Sequence, residues 1–303
     1  MRSYNLRLPW LLCCLPLLLL AAAPAQARHH RHHHRLRIAG DQPDIRSTAA
    51  LVLDEDSATV LLARQADVPT PIASITKLMT AIVVLEAKQS LDETLQITEE
   101  DHEHGRGAFS RLTIGTKLSR GDLMHVALMS SENRAAHALG RNYPGGLSAC
   151  VAAMNAKARA LGMKNAHFVD PTGLDSGNVA SPSDLAKLVI AASHVATIQE
   201  YSTDRMHALR VGRRELEFRN TDLLVRSPAW NIVVQKTGYI TEAGKCLVMK
   251  AVIRDRPVVI VLLDSYGKYT RVADAQRIRK WLESRTSESA TPAVVASKAA
   301  GPA

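Results

Sequence analysis

Residues 71–80 read PIASITKLMT, and this stretch says more about the fold than any other part of the chain. It places Ser74 and Lys77 three positions apart at the start of segment 74–88, which is largely apolar and contains neither Gly nor Pro. Such a segment predicts a mostly buried helix, on which residues i and i+3 share a face. A neutral lysine there can accept the proton of the serine hydroxyl, and the helix N-terminus favours developing negative charge. Ser-x-x-Lys alone, however, is too common a spacing to identify a site.

Two further short motifs follow. Residues 130–133, SSEN, contain Ser131 and Asn133 at the point where a predicted helix should stop. Residues 235–238, QKTG, place Lys236 inside an apolar strand. Each has an ordinary structural explanation, since Ser and Asn favour turns and a lysine on an edge strand discourages aggregation. All three motifs in this order, on a helix, an interhelical loop and a strand, are hard to assign to chance.

The three motifs together resemble those of the penicillin-binding protein and serine β-lactamase superfamily: Ser-x-x-Lys, then Ser-x-Asn, then Lys-Thr-Gly. Residues 71–80 are most similar to the low-molecular-mass D-alanyl-D-alanine peptidases, and residues 129–136 and 236–244 to their endopeptidase branch. The similarity covers most of residues 47–285. It implies a hydrolase that acts on the peptides of peptidoglycan in cell wall biogenesis and that β-lactams inhibit covalently.

The resemblance also implies roles for individual residues. Ser74 would attack the carbonyl carbon of a D-alanyl residue, with Lys77 accepting its proton. Ser131 would pass a proton to the leaving amine, and Asn133 would support the loop and contact the substrate. The other implied roles are carboxylate binding by Lys236 and Thr237, close approach of backbone and substrate at Gly238, and an oxyanion hole formed by the backbone N–H groups of Ser74 and Tyr239. Water would release the acyl-enzyme, and neither a metal nor an organic cofactor is expected.

The pattern of the remaining chain predicts an α/β fold of the α+β type. Apolar, β-branched segments predict two strands at the start of the folded part and three at its end, whereas the middle is helical in pattern. One antiparallel five-stranded sheet built from both ends and flanked by helices (three layers, α/β/α) accounts for this order, with a mostly helical subdomain. The predicted strands are 49–53, 59–63, 233–240, 246–254 and 257–263, and the predicted helices are 74–88, 119–129, 146–161, 181–193 and 270–285.

Four regions are predicted along the 303 residues. Residues 1–27 have a basic start, an apolar run and an Ala-Gln-Ala ending, which is typical of a cleaved signal peptide. The apolar run is shorter than the ~20 residues of a membrane-spanning helix, so we expect no span after cleavage, with an uncleaved anchor as the alternative. Residues 28–46 form an Arg/His-rich flexible leader, 47–285 the catalytic domain and 286–303 a disordered tail. These features predict a periplasmic protein, and we expect a monomer.

Composition argues against several other functions. The formal charge is +9, but no array of basic and aromatic residues suggests nucleic acid. Residues 101–104, DHEH, lack a helical His-x-x-x-His pair, so a solvated loop is favoured over a metal site. Beyond residue 27 the cysteines are Cys150 and Cys246, for which we expect buried side chains.

Three alternatives to an endopeptidase remain. A serine β-lactamase is disfavoured, because the Glu-x-x-Leu-Asn string of the commonest type is missing between Asn133 and Lys236. A non-catalytic module that binds cell-wall peptides is disfavoured because all three motifs are retained. A D-alanyl-D-alanine carboxypeptidase is the nearest alternative. Many carboxypeptidases of this group carry a C-terminal β-rich domain, which leads us to expect an endopeptidase that cuts between D-alanine and the D-centre of a diamino acid.

Overall fold

The computed structural model describes residues 42–102 and 109–289, with side chains to residue 285. These residues belong to one compact unit. The predicted signal peptide, most of the predicted leader and the end of the predicted tail lie outside the described residues.

The described residues form eleven strands and seven α-helices. The strands are β1 (Ala49–Asp54), β2 (Thr59–Arg64), β3 (Thr70–Pro71), β4 (Thr94–Gln96), β5 (Lys117–Ser119), β6 (Val179–Ala180), β7 (Met206–Val211), β8 (Arg214–Arg219), β9 (Asn231–Ile240), β10 (Gly244–Ile253) and β11 (Arg256–Ser265). The helices are α1 (Thr76–Glu86), α2 (Arg120–Met129), α3 (Asn133–Arg141), α4 (Gly146–Ala160), α5 (Pro182–Ala192), α6 (Ala196–Thr203) and α7 (Thr270–Ser289).

The central sheet has five antiparallel strands, as the sequence predicts, and their order is β2-β1-β11-β10-β9. Tight turns make β9, β10 and β11 neighbours, and β1 from the start of the chain pairs with β11, setting Ala49 opposite Leu263. The sheet therefore joins the two ends of the folded region. Strand β9, which carries the Lys-Thr-Gly motif, lies at one edge.

The alternation of side chains divides the core into two halves, one on each face of the sheet. Val52, Met249 and Ile260 pack on one face with Ile278 and Trp281 of α7. Their neighbours in the strands, including Leu51, Val248 and Val261, belong to the larger core on the other face, with α1, α2 and α5. The predicted three-layer arrangement is confirmed.

Helix starts agree with the local signals in the sequence. The Ser119 side chain accepts a hydrogen bond from the backbone N–H of Asp122 at the start of α2, and Ser181 does the same for Asp184 ahead of Pro182 in α5. Each bond satisfies a backbone donor that has no partner within the helix. Helix α1 is buried along most of its length, as its apolar sequence predicts.

No ranges were predicted for α3, for the short strands β3 to β6, or for the hairpin of β7 and β8 and helix α6 before it. Each hairpin strand has a single buried side chain, Leu209 in MHALRV and Phe218 in RELEFR, so the apolar signal in the sequence is weak. A hairpin of this kind gains its stability from packing against the rest of the protein.

Packing and helical structure extend past the predicted ends of the catalytic domain. Ile45, placed in the flexible leader, is buried against the α7 side of the sheet, and the backbone N–H groups of Arg46 and Ser47 donate to the buried Asp274 carboxylate. Helix α7 continues to Ser289, past the predicted start of the tail. No helix in the described part of the chain combines the length and apolarity that a membrane span requires.

Candidate active site

Ser74 lies in a 3-10 turn, Ala73–Ile75, directly before α1 rather than on the helix itself. Ala73 has a φ of +49°, a left-handed conformation that non-glycine residues rarely adopt. Its carbonyl accepts a hydrogen bond from the Thr76 hydroxyl at 2.8 Å, which holds the turn closed. Ser74 is nearly buried, and it lines a cleft of about 230 Å³.

Lys77, one turn further along, points its amine at Ser74. Nζ lies 2.8 Å from Ser74 Oγ, 2.8 Å from Asn133 Oδ1 and 2.6 Å from the backbone oxygen of Thr172. The last two atoms can only accept hydrogen bonds. A neutral amine would direct its two N–H groups to these acceptors and its lone pair towards the serine hydroxyl. The geometry thus suits a base that removes the Ser74 proton.

A second Ser–Lys pair faces the same cleft. Lys236 Nζ donates to Ser131 Oγ at 2.9 Å and to the backbone oxygen of Thr237 at 2.9 Å. Lys236 is completely buried, and burial lowers its pKa well below the ordinary value. The positive charges of Lys77 and Arg271 lower that pKa further, while Asp222 opposes the shift. Lys236 therefore holds its proton less firmly than a surface lysine.

The loop between α2 and α3 positions Ser131 through an uncommon backbone conformation. Ser131 has a φ of +63°, and such conformations cost of order 1–3 kcal/mol unless the surroundings impose them. The neighbouring Glu132 is buried, accepts a hydrogen bond from the Ser110 hydroxyl, and has its pKa raised by burial. The hydrogen bond between Ser110 and Glu132 thus anchors the loop.

Gly238 allows β9 to pass close to the turn that bears Ser74. A Cβ there would lie 2.9 Å from the Ile72 oxygen, 3.1 Å from Ala73 Cβ and 3.2 Å from the Ser74 nitrogen. Tyr239 follows and lines the cleft with Thr237. The structure therefore brings all eight predicted site residues into one region. Those residues are Ser74, Lys77, Ser131, Asn133, Lys236, Thr237, Gly238 and Tyr239.

Sequence motifs did not identify Arg271 and Thr221, which also line the cleft. Arg271, in the first turn of α7, donates from Nη1 to the Gly238 oxygen at 3.1 Å. The hydroxyl of Thr221 lies 2.6 Å from that of Thr237. Arg271 lies on α7, which follows β11 in the sequence. A single arginine forms no recognisable sequence motif.

A buried acid, Asp222, balances the positive charge around the cleft. One of its carboxylate oxygens accepts a hydrogen bond from the Leu224 backbone N–H, and the other has no hydrogen-bond partner among the described residues. Burial raises the pKa of Asp222 to about 6, although the charges of Arg271 and Lys236 act in the opposite direction. No sequence pattern marked this residue.

The loop of residues 167–174 contacts the site directly through Thr172 and Gly173. Asp170 Oδ1 accepts from the backbone N–H groups of Thr172 and Gly173 at 2.5 and 2.7 Å. This fixes the Thr172 carbonyl against Lys77. Gly173 has a φ of +80°, and a Cβ there would lie only 1.9 Å from the Ala73 oxygen. An Asp-Pro-Thr-Gly turn is a recognisable local signal, but its contact with the lysine is not.

The sequence predicted a solvated loop at residues 101–104, but Asp101 is fully buried. It accepts hydrogen bonds from His137 at 2.8 Å and from Arg141 at 3.0 and 2.8 Å. Residues 103 and 104 lie outside the described residues. Within the described ranges, no group of three or more His, Cys, Asp and Glu side chains could hold a metal ion. Cys150 and Cys246 are buried free thiols, as expected.

Comparisons with known proteins give one consistent picture. Residues 37–267 match the peptidase family described as D-alanyl-D-alanine carboxypeptidase. The chain is 50% identical over 244 residues to a D-alanyl-D-alanine endopeptidase of Pseudomonas aeruginosa, covering 80% of this chain and 79% of the relative. It is 46% identical to an Escherichia coli protein of the same name, with the same coverage. The crystal structure of a Streptomyces DD-transpeptidase superposes with a TM-score of 0.74 at 26% identity, covering 80% of this chain and 98% of the other.

Proposed function

This chain belongs to the serine peptidase family described as D-alanyl-D-alanine carboxypeptidase, and from that premise we propose that it is an endopeptidase acting on peptidoglycan. The bond to be cut joins D-alanine to the D-centre of a diamino acid in a cross-link. The structural observation that carries the proposal is the pair of contacts Lys77–Ser74 and Lys236–Ser131 facing one cleft. The preference for endopeptidase over carboxypeptidase is supported by the two relatives that are 50% and 46% identical.

The first half of the proposed reaction forms the acyl-enzyme. Ser74 Oγ attacks the carbonyl carbon of D-alanine while Lys77 Nζ accepts the hydroxyl proton. The backbone N–H groups of Ser74 and Tyr239 would stabilise the resulting oxyanion. The C–N bond then breaks, and the leaving nitrogen takes a proton from the Ser131 hydroxyl, which Lys236 replenishes through the 2.9 Å contact.

In the second half, water attacks the ester carbonyl and restores Ser74. A proton returns to Ser74 Oγ as the ester bond breaks, and the product leaves with a free D-alanine carboxylate. The carboxylate next to the leaving amine would bind Lys236, Thr237 and Arg271, which lie together at the β9 edge of the cleft. The described site residues can perform these steps with acid–base and electrostatic groups alone. β-Lactams would acylate Ser74 in the same way.

The proposal extends to the protein's location and state. The predicted signal peptide, together with relatives that are D-alanyl-D-alanine endopeptidases, supports export to the periplasm, where peptidoglycan lies. We also propose that the enzyme acts there as a monomer.

The test uses purified mature protein with cross-linked and pentapeptide-bearing muropeptides, with and without penicillin, followed by mass. Penicillin-sensitive conversion of dimers into monomers is the expected result. Loss of one terminal D-alanine with the dimers left intact would contradict an endopeptidase and identify a carboxypeptidase.

Single substitutions test the assignment of residues. Ser74→Ala should abolish covalent labelling by fluorescent penicillin, because the attacking oxygen is gone. Ser131→Ala should slow labelling by about a hundredfold or more, the usual contribution of a proton-transfer group. Ser130→Ala is the matched control, since its hydroxyl donates to the Val126 carbonyl instead of contacting a lysine. Labelling that survives in Ser74→Ala would rule out Ser74 as the nucleophile.

A further inference from the structure

A second cavity, of about 430 Å³, adjoins the catalytic cleft. Three residues line both spaces: Thr221, Tyr239 and Arg271. An extended ligand bound at Ser74 could therefore pass into the second cavity while remaining in contact with the protein.

The second cavity is cationic and partly aromatic. Lys245 Nζ lies 3.9 Å from the centre of the Tyr239 ring, and Lys268 Nζ lies 5.2 Å from the centre of the Tyr269 ring. With Arg271, three of the described residues that line the cavity are basic, and none of those lining residues is acidic. Such an arrangement attracts anions, because clustered like charges raise the local potential.

Lys245 lies in the positive field of the other two cations. Burial lowers the pKa of Lys245, and the positive charges of Arg271 and Lys268 lower it further. The acid that acts on Arg271 is Asp222, which is itself almost completely buried and is not a lining residue. An anion in the cavity would relieve the repulsion among these side chains.

The residues that the cavity shares with the catalytic cleft place it on one side of the scissile bond. In the proposed function the leaving amino acid binds Lys236, Thr237 and Arg271 through its carboxylate. The hydroxyl of Thr221, a second shared residue, contacts Thr237 at 2.6 Å. The cavity therefore adjoins the leaving-group side. A leaving D-alanine ends at its methyl group, whereas a leaving diamino acid continues through its side chain into another peptide.

We propose that the cavity of Tyr239, Lys245, Lys268, Tyr269 and Arg271, the leaving-strand site, binds the anionic peptide that departs when a cross-link is cut. This inference rests on the proposed function and adds a specificity site to it. The lysines would contact carboxylates of the departing peptide, and the tyrosine rings would contact its apolar carbon atoms. Cross-linked substrates would gain binding energy here that pentapeptides cannot.

The test compares two substrates with one variant, Lys245→Met/Lys268→Met, which removes two charges and keeps the side-chain length. For cross-linked muropeptide dimers we expect kcat/KM to fall about tenfold, mainly through KM, as loss of two carboxylate contacts implies. Removal of D-alanine from pentapeptides and penicillin acylation of Ser74 should both stay unchanged. Lys117→Met/Lys280→Met is the control, because it removes the same charge from exposed positions outside the cavity.

A binding measurement separates failure of this inference from failure of the proposed function. In a Ser74→Ala background, dimers should bind about tenfold more weakly when Lys245 and Lys268 are also replaced, whereas pentapeptide binding should not change. If the wild-type enzyme cut no dimers, the proposed function would fail, and this binding difference would still decide the inference. Equal losses for both substrates, or no loss for dimers, would overturn it.

Discussion

Two buried lysines serve the same cleft, and their immediate neighbours differ. Lys77 lies among the Ser74 hydroxyl and two neutral acceptors, the Asn133 amide oxygen and the Thr172 carbonyl. Lys236 donates to the Ser131 hydroxyl and the Thr237 carbonyl, and the buried acid Asp222 opposes the lowering of its pKa. These surroundings favour different proposed roles, with Lys77 removing a proton and Lys236 supplying one. Each role follows from contacts that a single substitution can test.

The lowered pKa of Lys236 leads to a pH prediction. If protonated Lys236 supplies the proton to the leaving amine, kcat/KM for dimers should fall as pH rises through that pKa, below the 10.5 of an ordinary lysine. Lys236→Arg should move this alkaline limb to higher pH, because arginine stays protonated. It should also lower the maximum rate at least tenfold, since a planar guanidinium does not fit the buried position or release its proton. The measurement is kcat/KM between pH 6 and 11.

Lys280→Arg, at an exposed position on α7, is the control and should leave the profile unaltered. An unchanged alkaline limb in Lys236→Arg would assign that limb to another group.

Asp222 gives a stability prediction. Its pKa rises from an ordinary 3.8 to about 6 in the folded protein, a difference worth about 3 kcal/mol. Because the folded pKa is raised, the protonated carboxyl favours the folded protein. This contribution to the free energy of unfolding is fully present below pH 3.8 and is lost as the pH increases through 6. Asp222→Asn should avoid that loss, raising the free energy of unfolding at pH 8 by up to about 3 kcal/mol, less any penalty for an unpaired amide N–H. Urea unfolding at pH 4 and pH 8 measures it.

The gain should be much smaller at pH 4 than at pH 8, and equal gains at both would show that burial of the charge is not its cause. The same substitution should shift the alkaline limb of activity to lower pH, because Asp222 supports the pKa of Lys236.

At the scale of elements, the site depends on one edge strand passing against one turn. Strand β9 packs onto the turn Ala73–Ile75 at Gly238, where even a Cβ has no room. The loop of residues 167–174 fixes the other side of the turn through Gly173. Ser74 is thereby held between two backbone segments that are far from it in the sequence.

Gly238→Ala should therefore affect catalysis more than folding. The added methyl would force β9 away from Ile72 and Ser74 by a few tenths of an ångström or more. Misplacement of about 1 Å can cost a hundredfold in rate, so we expect penicillin acylation to slow by ten- to a hundredfold. Stopped-flow acylation together with thermal unfolding separates the two effects. Normal acylation would show that β9 can shift without consequence for Ser74.

At the scale of the whole molecule, the sheet joins distant parts of the chain and separates two cores. Its strands come from residues 49–64 and 231–265, and the helices between them form the larger core. Cys150 in α4 and Cys246 in β10 are both buried within that larger core. The two thiols therefore report on its opening from two different elements.

We expect both thiols to be unreactive in the native protein. Burial raises the pKa of Cys150 to about 12 and that of Cys246 to about 11, so almost no reactive thiolate is present at neutral pH. In mature protein, a thiol reagent should label both cysteines together at a rate set by unfolding, and immediately in urea. Rapid labelling of one cysteine in native buffer would show that its part of the core opens on its own.

Local sequence patterns were sufficient to predict the central architecture. The apolar, β-branched composition of five segments identified the strands of the sheet, and Ser119 and Ser181 marked two helix starts. These features depend on burial and on backbone donors within a few residues, so they are visible in a short stretch of sequence. The three motifs likewise led to residues that the fold brings into one cleft.

Only the tertiary structure decided what surrounds those residues. The contact of Lys77 with Thr172 spans 95 positions, and that of Lys236 with Ser131 spans 105. Arg271, Asp222 and the buried Asp101 carry no local pattern, because charged side chains gain their partners through packing of distant elements. The sequence alone therefore determined the candidate nucleophile, its base and the sheet. The packing of β9 and α7 against the Ser74 turn determined the charges, the close approach at Gly238 and the cavity beside it.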